Sequence, residues 1–438
     1  MDSLDTSLAH DLDAALAAAQ AAYRAKRPQS LATFETATGF MPGGNTRTVL
    51  FHGPFPFRAK QGSGATLTDV DGNCMLNLLG EYTAGIFGHD DEKIRAALVG
   101  AMANGMNFGA HNVYESRFAQ RVCERFASIE KVRFTNSGTE ANLMAITTAR
   151  AATGRSKIIV FEGGYHGGVF VFKPGIMTNA PFPWIMLPYN DPDAARTAIR
   201  EHAGDLAAVL VEPMMGGGGC IPGTPEFLTV LRDETRKAGS FLIFDEVMTS
   251  RLGAGGAQGL FGITPDLTTL GKWIGGGMSF GAFGGRADAM DLFDPRRKDA
   301  IAHAGTFQNN VLTMAAGIVA LEEVYTPQRA LALTATGDAL RQRLNAVAAK
   351  AGADLQVTGL GSIMNIHPTR APIARAADLA AVDDRLRQLL FLDLLEAGFY
   401  IAHRGFIALS LAVTDQDLDR FGGAFERIVD NRIALLRG

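Results

Sequence analysis

The sequence predicts an α/β protein built on a mainly parallel sheet. Three observations carry that prediction. Short, nearly continuous apolar runs recur between about Val70 and Met314, longer amphipathic stretches separate them, and the runs give way to Gly, Ser or Pro. Runs of this kind read as strands buried on both faces, with the intervening helices covering them. The chain of 438 residues exceeds one ordinary domain, so a second, smaller part is expected.

In chain order, an alanine-rich helix is expected over Ala14–Ala25, followed by the Pro- and aromatic-rich stretch Met41–Phe57. Residues 1–69 are assigned to a segment that packs with the smaller domain. Residues 70–325 form the large domain, whose strands are Lys131–Thr135, Lys157–Phe161, Ala208–Glu212, Phe241–Asp245 and Leu267–Leu270. A helix is expected over Ala141–Arg150. Beyond Tyr325 the glycine density falls. There, residues 326–438 read as a small α+β domain with a strand-like stretch at Phe406–Leu411 and a last amphipathic helix.

Composition narrows the functional classes. With 47% hydrophobic and 20% charged residues and a formal charge of −4, the chain has no basic block for nucleic acid. No run approaches the ~18 apolar residues of a membrane span. The N-terminus lacks the basic and apolar regions of a signal peptide. Cys74, Cys123 and Cys220 are too few and too scattered for a disulfide framework or a zinc site. A soluble, cytoplasmic protein fits these features.

In parallel α/β sheets ligands bind beyond the carboxyl ends of the strands. Asn136-Ser-Gly-Thr-Glu140 follows the first run and Gly163-Gly-Tyr-His-Gly167 the second. Glu212 ends the third, Asp245-Glu246 the fourth, and Lys272 the fifth. Taken singly, each admits a structural role. Ser137 to Glu140 has the form of a capping box, Asp245 is placed to cap the next helix, Tyr165 and His166 suit a core and a turn, and Gly216–Gly219 matches no phosphate-loop phase. Phe241–Glu246 has the look of a Walker-B strand, but no G-x-x-x-x-G-K-[ST] accompanies it, since Asp266 and Trp273 stand at two required positions. A nucleotide-hydrolysing protein is therefore excluded.

Five strand ends bearing polar groups suit one site for pyridoxal phosphate. That cofactor needs a lysine for a Schiff base, a carboxylate for its pyridine nitrogen, a phosphate cradle and an aromatic on its ring. Lys272, Asp245, Ser137-Gly138-Thr139 and Tyr165 are the matching residues. The glycines after Lys272 leave room beside it.

Thr135-Asn-Ser-Gly-Thr-Glu-Ala141, Gly164-Tyr-His-Gly167, Val211-Glu-Pro213, Ile243-Phe-Asp-Glu-Val-Met-Thr249 and Gly271-Lys-Trp-Ile-Gly-Gly-Gly277 together resemble class III aminotransferases of PLP fold type I. Met248 makes the chain similar to the glutamate-1-semialdehyde aminomutase branch. Met41–Phe51, Glu81–Gly85, Gly277–Gly281 and Arg404–Phe406 resemble aromatic β-amino acid aminotransferases. The resemblance implies a large domain with a mainly parallel sheet and a smaller domain from both ends of the chain. It implies Lys272 as the Schiff-base lysine, Asp245 at the pyridine nitrogen, Tyr165 and Val247 on the two ring faces, and a family acid at Glu212. Ser137, Gly138 and Thr139 would hold the phosphate, joined by Thr306 from a second subunit of a homodimer. Arg47 would bind the substrate carboxylate and Arg404 engage, or leave, a second one. The phenylalanines near Arg47 are expected to help line an aryl pocket. The activity implied is transfer of an amino group from a β-amino acid to 2-oxoglutarate or pyruvate, with an intramolecular aminomutase as the alternative. A regulatory protein that only binds the cofactor is disfavoured by the full catalytic set.

Overall fold

The computed structural model describes residues 2–173, 175–176 and 178–437. After helices at Asp2–Ala25 and Pro28–Thr38 come β1 (Ala59–Ser63), β2 (Thr66–Asp69) and β3 (Cys74–Asn77). Next are β4 (Lys131–Thr135), β5 (Lys157–Phe161), β6 (Trp184–Leu187) and β7 (Leu206–Val211). A small hairpin, β8 (Met214–Met215) and β9 (Ile221–Pro222), precedes β10 (Phe241–Asp245), β11 (Leu267–Gly271) and β12 (Gly281–Gly285). The C-terminal part holds β13 (Gln356–Leu360), β14 (Ile363–His367), β15 (Phe399–Tyr400) and β16 (Phe406–Ala408).

The central sheet has seven strands in the order β4-β12-β11-β10-β7-β5-β6. All run parallel except β12, which is antiparallel to both neighbours. Strands β7, β10 and β11 are buried at every residue, as their unbroken apolar runs require. The five expected strands are all present. The third ends at Val211 rather than Glu212, and the expected Ala141–Arg150 helix runs from Gly138 to Thr153. The first helix begins well before Ala14, and the Phe406 strand stops at Ala408.

β6 and β12 were not expected from the sequence. β12 reads GAFGG, without the β-branched residues that mark a strand. Its glycines are demanded by crowding. A Cβ at Gly281 would lie 2.1 Å from the Ser137 carbonyl oxygen, and one at Gly285 would lie 2.1 Å from that of Asp266.

A second sheet, β1-β2-β3-β15, joins the two ends of the chain: β15 lies parallel to β3, pairing Phe399 with Leu76 and Tyr400 with Asn77. This sheet continues past residue 69, through β3. The Met41–Phe57 stretch packs against the C-terminal part, with the His52 ring 4.7 Å from that of Phe391 and Phe57 4.9 Å from Tyr400.

Candidate active site

The carboxyl ends of β4, β5, β7, β10 and β11 converge on a cavity of about 440 Å³. Every site residue named from the sequence lines it except Thr306, which lies in an exposed turn.

Lys272 leaves β11 in the left-handed backbone region, at φ +56°. Its ammonium donates to the Tyr82 carbonyl oxygen at 2.6 Å. Tyr82 belongs to a run, Glu81-Tyr82-Thr83, in which each residue has positive φ. Non-glycine residues pay for that conformation, and such runs persist where the surroundings over-determine them. Burial lowers the Lys272 pKa to about 8, against the opposing pull of Asp245 and Glu212.

Asp245 ends β10 and is buried. Its Oδ2 accepts from Asn142 Nδ2 at 2.8 Å and pairs with His166 Nδ1 at 2.7 Å, while its Oδ1 accepts from the Val247 N–H at 3.0 Å. Because a carboxylate accepts, the His166 proton belongs on Nδ1. Asn142 is itself held by Thr269, which donates to its Oδ1 at 2.8 Å. A buried charge survives only when hydrogen-bonded, and here three donors hold it.

Asp245 does not cap the following helix. That task belongs to Glu246, whose carboxylate accepts from the N–H groups of Ala257 and Gln258. The acidic pair therefore divides its labour: one side chain faces the cavity and the other holds the scaffold.

Glu212 is buried and joins two loops. Its Oε1 accepts from the Tyr165 N–H at 3.0 Å and its Oε2 from the Gly216 N–H at 2.9 Å. Burial raises its pKa, with these two donors opposing. The turn thus fixed presents the Tyr165 ring, half exposed, to the cavity. The glycine run has a role after all: a Cβ at Gly217 would meet Tyr165 Cβ at 3.0 Å, and one at Gly216 would meet Met248 Sδ at 2.4 Å.

Ser137 is the N-cap of the Gly138–Thr153 helix, its Oγ accepting from the Glu140 N–H at 3.2 Å. The expected capping box is displaced by one residue, because Glu140 reaches back to the Asn136 N–H. With the Glu140 N–H taken by Ser137, the N–H groups of Gly138 and Thr139 have no intrahelical partners and suit an anion. Val247 packs against the same turn, since a Cβ at Gly138 would lie 2.9 Å from both of its methyl groups.

Arg47 and Arg404 both lie near the Tyr82 ring, 6.0 and 5.4 Å from its centroid. The Tyr82 hydroxyl donates to the Val49 carbonyl at 2.9 Å, tying down the turn that carries Arg47. The expected phenylalanine lining is absent. Phe55 is buried beside Tyr23, Phe57 packs on Tyr400, and the apolar cavity wall comes from Val49, Met248, Met278 and Phe280. Asn142, His166 and Tyr82 were not singled out as site residues from the sequence. Tyr82 lay within the Glu81–Gly85 stretch that carried the resemblance, and His166 lay in the Gly164–Gly167 motif but by itself suited a turn histidine better; Asn142 carried no signal.

The class-III aminotransferase model matches residues 51–429. The chain belongs to the class-III aminotransferases. This aminotransferase is 52% identical over 427 residues to the β-phenylalanine transaminase of Variovorax paradoxus, covering 97% of this chain and 98% of that one. It superposes on the crystal structure of a β-phenylalanine aminotransferase from the same organism with a TM-score of 0.95, covering 97% of this chain and 99% of the other. It is 38% identical over 434 residues to a glutamate-1-semialdehyde 2,1-aminomutase of Rhodopirellula baltica, covering 93% and 98% of the two chains. A solved transaminase with PLP bound is 33% identical, at a TM-score of 0.86 over 94% of this chain and 99% of that one.

The enzyme is a PLP-dependent aminotransferase of fold type I. Its cavity fits that cofactor: a lysine, a buried carboxylate, a half-exposed aromatic ring and an open helix N-terminus line one space.

Proposed function

We propose that the enzyme moves the amino group of an aromatic β-amino acid, such as β-phenylalanine, to 2-oxoglutarate or pyruvate. Arg47 carries this reading. Its guanidinium has no carboxylate partner among the described residues, lines the cavity with Val49 and Phe280, and lies on a turn secured by Tyr82. A guanidinium grips a carboxylate through two parallel hydrogen bonds and so fixes its orientation. The apolar wall beside it suits an aryl group on the amine-bearing carbon.

Pyridoxal phosphate, when bound, supplies a ring that accepts the electron pair left on the substrate carbon. Asp245 would hold the ring nitrogen in its protonated form, and Lys272 would anchor the cofactor and serve as the proton carrier at the substrate carbon. Tyr165 and Val247 enclose the ring. Ser137, Gly138 and Thr139 receive the phosphate, and Glu212 keeps Tyr165 in register. Arg47 orients the carboxylate of donor and acceptor alike, and Arg404 serves the second carboxylate of a dicarboxylic acceptor.

Thr306 completes the phosphate site from a second copy in a homodimer. Its exposed turn, with Phe307 54% exposed beside it, supports that assembly. Sedimentation of the active enzyme tests it, and a fully active monomer would refute it. No described helix is long and apolar enough to cross a membrane. The three cysteines are free, in keeping with a cytoplasmic enzyme.

A panel of amino donors assayed with both acceptors tests the substrate. Arg47→Ala is expected to raise KM for donor and acceptor together, whereas Arg404→Ala impairs 2-oxoglutarate more than pyruvate. Preference for α-amino acids over 3-amino-3-phenylpropanoate would overturn the substrate reading. Turnover without any added oxo acid would favour an aminomutase.

A further inference from the structure

Beside the catalytic cavity lies a second chamber of about 400 Å³, and the residues that line both are Lys173, Gly217 and Arg404. The partition between them therefore consists of two cations and a residue without a side chain. Arg404 Nη1 donates to the Gly217 carbonyl at 3.0 Å, while its Nε is buried without a partner. Neither Arg404 nor Lys173 has a carboxylate partner among the described residues, and the Lys173 ammonium makes no hydrogen bond there.

The other groups of the side chamber do not neutralise this pair. Arg387 is engaged by Asp384 at 2.5 Å. His367 makes its contact with the Gly219 carbonyl, and burial lowers its pKa to about 4, so it adds no charge at neutral pH. Glu162 lines the side chamber but forms no ion pair with either cation. Desolvation and the neighbouring Arg404 guanidinium lower the Lys173 pKa, as expected for two like charges with no anion between them.

Two cations that form no ion pair among the described residues, Arg404 from a partly buried position and Lys173 from an exposed one, face one space that can receive an anion. A β-aryl donor and pyruvate each bring one carboxylate, which Arg47 takes. A dicarboxylic oxo acid brings a second. We propose that Lys173, acting beside Arg404, binds the distal carboxylate of a dicarboxylic amino acceptor and so selects it over a monocarboxylic one. This rests on the transaminase reading above and adds to it a residue outside the chain's PLP-binding motifs. The cation pair discriminates through charge rather than shape, because the glycine partition leaves the distal end of the acceptor room on both sides.

The test compares Lys173→Met and Lys173→Arg holoenzymes with the wild type, using 2-oxoglutarate and pyruvate as acceptors. In the Met variant, kcat/KM for 2-oxoglutarate is expected to fall about 5- to 30-fold, carried by KM. The Arg variant restores it, and the pyruvate reaction, the donor KM and the cofactor content stay at wild-type values. An unchanged ratio between the acceptors overturns the assignment, as does an equal loss with both. Loss of cofactor in the Met variant overturns it by showing that Lys173 serves the cofactor phosphate. A wild-type enzyme that accepts pyruvate alone also overturns it, yet leaves the transaminase reading standing. That broader reading fails on a different result, the absence of donor deamination in the wild type.

Discussion

The Lys272 ammonium donates to the Tyr82 carbonyl oxygen at 2.6 Å, across 190 residues of sequence. The acceptor sits in a left-handed run and its ring has two arginines within about 6 Å. One residue thus touches the proposed Schiff-base lysine through its backbone and the turn of the proposed carboxylate clamp through its side chain.

Burial lowers the pKa of that lysine to about 8. Only the neutral amine attacks an aldehyde, so a lowered pKa brings the reactive form within the working pH range. The rate at which the apoenzyme takes up pyridoxal phosphate covalently is expected to rise with pH to a midpoint near that value. Stopped-flow absorbance of reconstitution reads it directly. A rate still climbing steeply up to the ordinary lysine range would contradict the assignment. Lys272→Ala should bind cofactor that borohydride cannot fix to the protein.

Asp245→Asn keeps the shape of the side chain and removes its charge. The cofactor is expected to remain bound while kcat falls on the order of 10²–10³-fold, the scale for losing one preorganised electrostatic contact. His166→Ala removes a hydrogen bond to the buried carboxylate, typically worth about 1.5–3 kcal/mol, and should cost about 10- to 100-fold in kcat. Wild-type rates in either variant would refute the electrostatic role.

Gly138→Ala places a methyl group 2.9 Å from both methyls of Val247. Val247 or the helix start must then shift, at a typical cost of about 1–3 kcal/mol. Equilibrium dialysis is expected to show weakened cofactor binding with the secondary structure intact. Unaltered affinity would mean that this turn does not contact the phosphate.

Glu212→Gln replaces one acceptor with a donor where two backbone N–H groups converge. One of them loses its partner, at about 1–3 kcal/mol. The melting temperature should fall, and the cofactor's visible absorbance should shift as the Tyr165 turn relaxes. A variant unchanged in both would assign Glu212 no positioning role.

Much of this architecture was legible in the sequence because burial on both faces of a parallel strand forces unbroken apolar runs, and function sits at their ends. Lys272, Asp245 and Tyr165 could be placed on that ground. Their supports could not. His166 and Asn142 meet Asp245 across 79 and 103 residues, and no local spacing encodes such a meeting. β12 escaped because its glycines answer to neighbouring backbone, leaving no apolar pattern to read. The arginine turn was recognised, but its phenylalanines were assigned to the cavity wall, whereas Phe55 packs on Tyr23 and Phe57 on Tyr400: side-chain direction depends on packing that the sequence does not display.

The antiparallel strand also sets an order of events during synthesis. β4 has a single neighbour in the sheet, β12, and Thr135 pairs with Gly281. Strand β4 leaves the ribosome early and must wait for a partner made long after it, while the chain emerges at about 5–20 residues per second. The loop after β4 carries Ser137, whose carbonyl lies against Gly281. With Ser137 in its proposed phosphate-binding role, vitamin capture is expected to be a late step in biogenesis, and a nascent chain truncated before residue 281 is expected to take up no cofactor when the vitamin is supplied.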